Sequence, residues 1–209
     1  MSSITLLRHP KVLGEAALYG RTNIACCPRS FAQAFSALGK MAEQFDLIVT
    51  SPLQRCALLA EKFSEQSGLP LLVEHDFQEI NFGIFDGIPF TALHKEWPIL
   101  EQFWATPHSV TFDQAEKLAH FNRRVVAAWA SLLTSSADKR ILVICHGGVI
   151  RQIIADCLGL SWQQPKLYRS LQVANNSMTK IDYFQQYQTS SIRHISLPLY
   201  SLTRIEKII

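Results

Sequence analysis

The chain has 209 residues, of which 48% are apolar and 18% charged. This balance excludes a disordered chain, and the length suits one large domain. The formal net charge is only +3, and no run of Lys or Arg accompanies it. The sequence therefore gives no support to nucleic-acid binding, whereas a mild positive charge is compatible with an anionic small-molecule substrate.

The first residues, Met1-Ser2-Ser3-Ile4, lack the basic and apolar regions of a secretory signal, and no apolar run is long enough to cross a bilayer. We therefore expect a cytoplasmic protein without membrane contact. The five cysteines are odd in number and form no C-x-x-C motif, which predicts reduced thiols. The adjacent Cys26 and Cys27 are interpreted as buried fillers. A homodimer is compatible with the sequence, but no feature requires one.

Apolar runs and helical patterns alternate along the chain. Runs typical of buried strands lie at residues 4–7, 47–50, 71–73 and 141–145. Helices are predicted over 29–42 and 114–133, from Ser51-Pro52 to Gly68, and from Gly147 to near Gly159. Ser51 is interpreted as the N-cap of its helix. The pattern predicts an α/β fold, namely a three-layer α/β/α sandwich with a mostly parallel central sheet.

Two further segments do not follow this alternation. Residues 84–112 contain six aromatic residues and three prolines, which is too aromatic for a linker. We predict an inserted cap over the carboxyl edge of the sheet, at about 84–135 within a single domain of residues 1–209. Its aromatic residues Trp97, Phe103 and Trp104 are interpreted as core rather than as a ligand platform. The tail from 167 to 198 predicts one or two strands with a hairpin.

Candidate chemistry lies at the predicted strand ends, where open α/β sheets bind their ligands. Arg8-His9 follows the first strand, and Arg55 lies in the first turn of the helix after the second strand. His146-Gly147 follows the strand at 141–145. Two histidines and two arginines from three segments are therefore expected at one edge.

This set of residues suits phosphoryl transfer. A neutral imidazole, that of His9, is a nucleophile at neutral pH, and His146 can donate to phosphoryl oxygens as charge develops. Arg8 and Arg55 each present a planar fork to phosphate, and Gly147 and Gly148 let the backbone approach closely. Two helix N-termini at the same edge favour an anion. Each motif alone is common at a surface or a turn, so it is their conjunction that predicts a site.

Four motifs between residues 6 and 151 resemble those of the histidine phosphatase superfamily, the group of cofactor-dependent phosphoglycerate mutases and α-ribazole phosphatases. In the family's order they are Leu7-Arg8-His9, Ser51-Pro52-Leu53-Gln54-Arg55, the segment 78–87, and Cys145-His146-Gly147-Gly148-Val149-Ile150-Arg151. The resemblance implies that His9 becomes phosphohistidine and that Arg8, Arg55 and His146 hold the phosphoryl group. It also implies that Glu79, in the acidic segment, protonates the leaving oxygen. Position alone does not distinguish Glu79 from Asp76 or Asp86.

The chain departs from the family pattern at three places. Pro10 stands where the family usually has Gly, and proline has no N–H to offer a phosphate. Tyr19-Gly20-Arg21 resembles a variant seen in α-ribazole-phosphatase-like members of the family, so Arg21 is either a further phosphate ligand or an exposed arginine in a turn. The family's Gly-Glu-Ser is replaced by Asp113-Gln114-Ala115, which leaves substrate contacts from that point open.

The resemblance implies a metal-independent phosphomonoesterase without a cofactor, acting on a small-molecule phosphate ester such as α-ribazole phosphate. A metal site at His9 and His146 is disfavoured because the neighbouring arginines repel a cation. One alternative is a phosphoglycerate mutase, although the segment between Glu79 and His146 is short for that branch. The other alternative is an inactive binding module of the same fold, which is disfavoured because all five core positions are filled.

Overall fold

The computed structural model describes residues 1–200. Its strands are β1 (Ser2–Arg8), β2 (Leu47–Thr50), β3 (Leu71–Val73), β4 (Arg140–Cys145), β5 (Ser177–Phe184) and β6 (Thr189–Pro198). Its helices are α1 (Pro28–Gly39), α2 (Gln54–Ser67), α3 (Trp97–Ala105), α4 (Leu118–Ser135), α5 (Gly147–Cys157) and α6 (Pro165–Arg169).

The described strands form one six-stranded sheet in the order β3-β2-β4-β1-β5-β6. Strands β3, β2, β4 and β1 are parallel to one another, and β5 and β6 add an antiparallel hairpin at one edge. The predicted mostly parallel sheet and the hairpin in the tail are both confirmed. Because β1 and β4 are parallel neighbours, the residues that follow them lie at the same edge.

Alternate side chains of the central strands pack into two separate apolar clusters. Leu7 and Ile144 face the cluster that contains Leu38 of α1 and Phe63 of α2. Leu6 and the other strand residues that alternate with Leu7 and Ile144 face the cluster built by α4 and α5 on the other side of the sheet. Both faces of each central strand are thus covered, which explains why those strands are continuous apolar runs. The three-layer prediction is confirmed.

Two predicted helix starts are wrong. Helix α2 begins at Gln54 after Leu53, without a side-chain cap, so Ser51 is not its N-cap. The Ser51 hydroxyl lies 2.7 Å from a ring nitrogen of His146 instead. The helix predicted from residue 114 begins at Leu118, because the preceding turn bonds to the segment around residue 81, where the Asn81 carbonyl accepts from the Glu116 N–H at 2.9 Å.

The aromatic segment forms a third apolar cluster around Phe85, Leu100 and Phe112, separate from the two clusters on the sheet. Helix α3 lies in this segment, whereas α4 packs on the sheet. The division into one domain of residues 1–209 with an inserted cap at about 84–135 stays a prediction. The last residues of that predicted domain, 201–209, lie outside the described part of the chain. We refer to residues 82–112 as the cap.

All five cysteines lie within the described residues and are free thiols there, as expected. Cys26 and Cys27 are half-exposed rather than buried, so their interpretation as buried fillers is wrong. They lie in a loop beside α2, where the Cys26 thiol donates to the Arg55 carbonyl at 3.3 Å. Among residues 1–200, no helix is long and apolar enough to cross a membrane.

Candidate active site

Parallel pairing of β1 with β4 brings the two histidines together. Arg8 is the register partner of Cys145, so His9 and His146 are the next residues of neighbouring strands. The His9 N–H donates to the Cys145 carbonyl at 3.0 Å, so the hydrogen bonding between β1 and β4 continues one residue beyond β1. The imidazole centroids are 5.2 Å apart. The predicted convergence of these two side chains is therefore present.

His9 is held in one tautomer. Its ring is 6% exposed, and Nδ1 lies 2.8 Å from the Pro10 carbonyl oxygen. A carbonyl only accepts, so Nδ1 carries the hydrogen and Nε2 keeps its lone pair. Burial, followed by the charges of Arg55 and Arg8, lowers the pKa of His9 well below its usual value. A neutral ring with a free Nε2 is the form that can attack phosphorus.

The proline after His9 leaves this arrangement intact. The contact to His9 uses the Pro10 carbonyl, which any residue would supply. A second bond from the Asn175 amide to the His9 carbonyl, at 3.0 Å, fixes the backbone from the other side. The backbone N–H that Pro10 lacks is therefore not needed to set the tautomer of His9.

His146 is fully buried and also neutral. Arg55 Nε donates to its Nδ1 at 3.2 Å, and a guanidinium cannot accept, so Nδ1 is unprotonated. Nε2 then carries the hydrogen and donates to the Ser51 hydroxyl at 2.7 Å. Burial, then Arg55, His9 and Arg8, lower the pKa of His146 well below its usual value. Donation from Nε2 to a phosphoryl oxygen requires that this hydrogen leave Ser51.

Arg55 is 1% exposed and is bound mainly by protein groups. Besides its bond to His146, Nη1 donates to the Thr22 carbonyl at 2.8 Å. Nη2 donates to the carbonyls of Tyr19 and Gly20 at 3.2 and 2.6 Å. Of the five N–H groups of a guanidinium, four are thus used. Arg55 has one N–H left for a phosphate, so it cannot present the free fork that the sequence predicted.

The loop that binds Arg55 is itself held by one carboxylate, that of Asp86. Oδ1 accepts from the N–H groups of Gly20 and Thr22 at 3.1 and 2.9 Å. Oδ2 accepts from those of Arg21 and Phe82 at 2.7 and 3.1 Å. Each oxygen of Asp86 therefore accepts from two backbone donors, which occupies all four lone-pair sites of the carboxylate, so Asp86 is not arranged as a proton donor.

The sequence offered no signal for this role. Asp86 contacts a loop 64 to 66 residues away, and no local pattern reports such a pairing. Sequence reasoning had treated Asp86 and Asp76 as equal alternatives to Glu79 for the proton donor. Asp76 is exposed, and only its backbone N–H contacts Glu74, by donating to that carboxylate at 2.9 Å. Of the three carboxylates, Glu79 is the one that lies at the Gly148 N–H, two residues after His146.

Glu79 lies against the N-terminus of α5. Its Oε2 accepts from the Gly148 N–H at 2.9 Å, and its Oε1 accepts from the Ile80 N–H at 3.0 Å. A Cβ added to Gly148 would lie 2.1 Å from Oε1, so only glycine permits this approach. Of the two glycines predicted to permit a close approach, Gly147 is the less crowded, since a Cβ there would meet Arg151 and Arg8 at 3.3 and 3.4 Å.

Arg8 has a donor to spare. Its Nη1 donates to the Val173 carbonyl, and its buried Nε has no hydrogen-bond partner among residues 1–200. Burial lowers the pKa of Arg8, and nearby Glu79 opposes that shift. The neighbouring Arg151 adds positive charge at the same place. This pair of guanidiniums favours an anion beside His9.

Arg21 belongs to a different set of charges. Burial lowers its pKa, and the charged groups acting on it are Arg124, Glu116, Asp86 and Asp76. The charged groups acting on His9 are Arg55 and Arg8. The structure therefore places Arg8, His9, Arg55, Glu79 and His146 together with Gly147, and it leaves Arg21 beside this group. Its role as a phosphate ligand stays a prediction.

A family model, that of the histidine phosphatase superfamily (branch 1), matches residues 4–194. The chain belongs to this superfamily. The histidine phosphatase is 25% identical over 190 residues to the phosphatase PhoE of Bacillus subtilis, covering 89% of this chain and 91% of PhoE. It is also 25% identical over 191 residues to a protein of Yersinia enterocolitica named phosphoglycerate mutase GpmB, covering 88% and 86% of the two chains.

Among solved structures, the α-ribazole phosphatase of Shigella flexneri has the same fold. The TM-score is 0.77 at 22% identity, and the match covers 93% of this chain and 96% of that one. Family membership and the phosphatase names among its relatives make the chain a phosphatase enzyme.

The two buried neutral histidines of this histidine phosphatase predict a loss of stability in mild acid. Unfolded histidines take up protons near pH 6.5, whereas the folded pKa values lie well below that. The unfolded state then binds more protons, so stability falls as pH falls below about 6.5. Between pH 7.5 and 5.5 we expect a loss of about 1.4 kcal/mol for each of the two rings, measured by urea unfolding without phosphate.

His9→Gln should remove about half of this pH dependence. The control is His108→Gln, which alters an exposed ring and should leave the pH dependence as in the wild type. Equal stability at pH 7.5 and 5.5 in the wild type would contradict the assignment of two neutral buried rings.

A second prediction concerns Asp86. In Asp86→Asn, an amide N–H2 replaces one acceptor oxygen and faces backbone donors, so we expect a loss of about 2 kcal/mol in unfolding free energy. Because the loop also binds Arg55, affinity for inorganic phosphate should fall about tenfold. Asp76→Asn changes an exposed carboxylate and is the matched control. Urea unfolding and phosphate titration calorimetry test both effects, and identical behaviour of the two variants would contradict the role of Asp86.

Proposed function

We propose that this histidine phosphatase is a metal-independent phosphomonoesterase that works through a phosphohistidine at His9. The observation that carries the proposal is the state of the His9 ring, which is buried and neutral and donates from Nδ1 to the Pro10 carbonyl. Its Nε2 lone pair is thereby available without a separate base.

The first step transfers the phosphoryl group to His9. Nε2 attacks phosphorus, the bond from phosphorus to the ester oxygen breaks, and Glu79 gives a proton to that oxygen. Arg8, the α5 N-terminus and the remaining N–H of Arg55 stabilise the charge on the phosphoryl oxygens. These groups supply the positive charge that metal ions provide in other phosphoryl-transfer enzymes.

The second step returns the enzyme to its starting state. Water attacks the phosphorus of phosphohistidine, the carboxylate of Glu79 takes the proton, and the bond from Nε2 to phosphorus breaks to release inorganic phosphate. Glu79 is positioned for both steps, because its carboxylate lies at the Gly148 N–H and therefore at the start of the helix that follows His146. In the first step Glu79 acts as an acid and in the second as a base.

The substrate we propose is a small phosphorylated metabolite. α-Ribazole phosphate is one candidate, supported by the fold of the Shigella flexneri enzyme and by the Tyr19-Gly20-Arg21 motif. Hydrolysis is favoured over mutase activity because the segment between Glu79 and His146 is short, which leaves the phosphohistidine open to water. An inactive binding module of this fold is disfavoured, since all five core residues are in place. Cytoplasmic location and absence of a nucleic-acid partner stay predictions.

His9→Ala should abolish hydrolysis of p-nitrophenyl phosphate, because loss of a covalent nucleophile costs several orders of magnitude. Wild-type activity should be unaffected by EDTA. Rapid quench with labelled phosphate ester should trap an acid-labile, base-stable phosphoenzyme in the wild type and none in the variant. His108→Ala is the matched control. More than about a tenth of wild-type activity in His9→Ala, or rescue of EDTA-treated enzyme by Mg²⁺ or Zn²⁺, would refute the mechanism.

Glu79→Gln should act selectively on poor leaving groups. An alkoxide needs a proton as it leaves, whereas p-nitrophenolate does not, and general acid catalysis contributes roughly 10²–10⁴-fold. Single-turnover phosphorylation of His9 should therefore slow by about that factor for an alkyl phosphate and much less for p-nitrophenyl phosphate. Glu65→Gln, which changes an exposed carboxylate of α2, is the control. Equal slowing of both substrates by Glu79→Gln would make Glu79 a structural residue.

A further inference from the structure

A cavity of about 370 Å³ opens beside Glu79 and Gly148. Its volume is within the range of small-molecule binding sites. The residues that line it are Leu18, Glu79, Ile80, Phe82, Phe103, Trp104, Pro107, Leu118, Phe121, Gly148, Arg151, Tyr168 and Arg169. The proposed proton donor, Glu79, is thus one of the residues that line the cavity.

One side of the cavity is apolar and aromatic. Phe103 and Trp104 come from α3 in the cap, Phe82 from the segment after Glu79, and Phe121 from α4. Phe82 and Phe103 meet edge to face, with centroids 6.1 Å apart, and both are half-buried. These rings keep accessible faces and edges that can pack against an apolar ligand.

The other side is polar and is lined by Glu79, Tyr168 and the guanidiniums of Arg151 and Arg169. The Tyr168 hydroxyl donates to the Trp162 carbonyl and accepts from Gln152 at 2.9 Å. Arg151 Nε donates to the Leu171 carbonyl at 3.0 Å. Glu79 accepts from two backbone N–H groups. The two guanidiniums attract the phosphoryl group on this side, and an apolar ring on the leaving group would pack against the aromatic side of the cavity.

We infer that this cavity binds the leaving group of the substrate and selects phosphate monoesters of alcohols that carry an apolar ring. The inference rests on the proposed function, because it places the ester oxygen at Glu79. It makes Trp104 and Phe103 specificity-determining residues. These two side chains had been interpreted from the sequence as core. They pack within the cap and also line the cavity.

The test measures binding and turnover separately. The binding probes are two non-hydrolysable phosphonates, 4-phenylbutylphosphonate and ethylphosphonate, titrated by calorimetry. Burying roughly 80 Å² of phenyl surface corresponds to about 30-fold, so the phenyl ligand should bind about 30-fold more tightly. The turnover probes are 3-phenylpropyl phosphate and glycerol phosphate, which share a poor alkoxide leaving group.

The chain offers a matched pair of variants. Trp104 and Trp97 belong to the same aromatic cluster, with centroids 5.5 Å apart, but only Trp104 lines the cavity. Trp104→Leu should lower the ratio of the two phosphonate affinities about fivefold to tenfold, and Trp97→Leu should leave it unchanged. Phe103→Leu is a second cavity variant, for use should Trp104→Leu fail to fold.

The binding and turnover results distinguish failure of the cavity proposal from failure of the proposed function. Equal affinity of the wild type for both phosphonates overturns the cavity proposal, and so does an equal effect of Trp104→Leu and Trp97→Leu. Preferential binding of the phenyl ligand without hydrolysis of any monoester refutes the proposed function and leaves the binding site standing. Hydrolysis of 3-phenylpropyl phosphate and glycerol phosphate with equal kcat/KM supports the proposed function and overturns the selection for a ring.

Discussion

The buried guanidinium of Arg55 is the constraint on which the rest of the site depends. A buried cation must be matched by acceptors, and Arg55 finds them in three loop carbonyls and in Nδ1 of His146. The last contact requires that His146 be neutral, and the same charge disfavours protonation of His9. Burial is the largest cause of the lowered pKa of both histidines, and this one buried cation adds to it at each ring. A protonated ring could neither accept from Arg55 nor attack phosphorus.

Asp86, a residue of the cap, connects Arg55 to the cap through the loop that accepts hydrogen bonds from Arg55. The loop that accepts from Arg55 would be free to move unless its own N–H groups were bound, and the Asp86 carboxylate binds three of them. Asp86 lies in the cap, whose aromatic residues also form the apolar wall of the cavity. The residues proposed to select the leaving group are therefore part of the same hydrogen-bonded and packed unit that holds Arg55.

Much of the fold and part of the site were predictable from local pattern. Strands buried on both faces are continuous apolar runs, and this pattern identifies β1, β2 and β4. The short apolar run of β3 is identified as well, although Leu72 and Val73 are exposed at the edge of the sheet. The parallel order of these strands places His9, Arg55 and His146 at one edge. Ser51 shows where local pattern misled. Its position before Pro52 is typical of an N-cap, yet its hydroxyl bonds to His146, a residue 95 positions away. Helix α6 was missed because five residues carry too little periodicity to detect.

Residue types and strand ends were enough to indicate phosphoryl transfer, since an imidazole and guanidiniums at one sheet edge have few other uses. The role of Glu79 as proton donor was predicted from the family resemblance, because the sequence alone does not distinguish one carboxylate from another. The tautomers of the two rings, the occupied donors of Arg55, the role of Asp86 and the apolar wall at Trp104 needed the folded chain. Each of these depends on contacts between residues far apart in sequence, and hydrogen-bond partners and burial arise only when distant segments pack together.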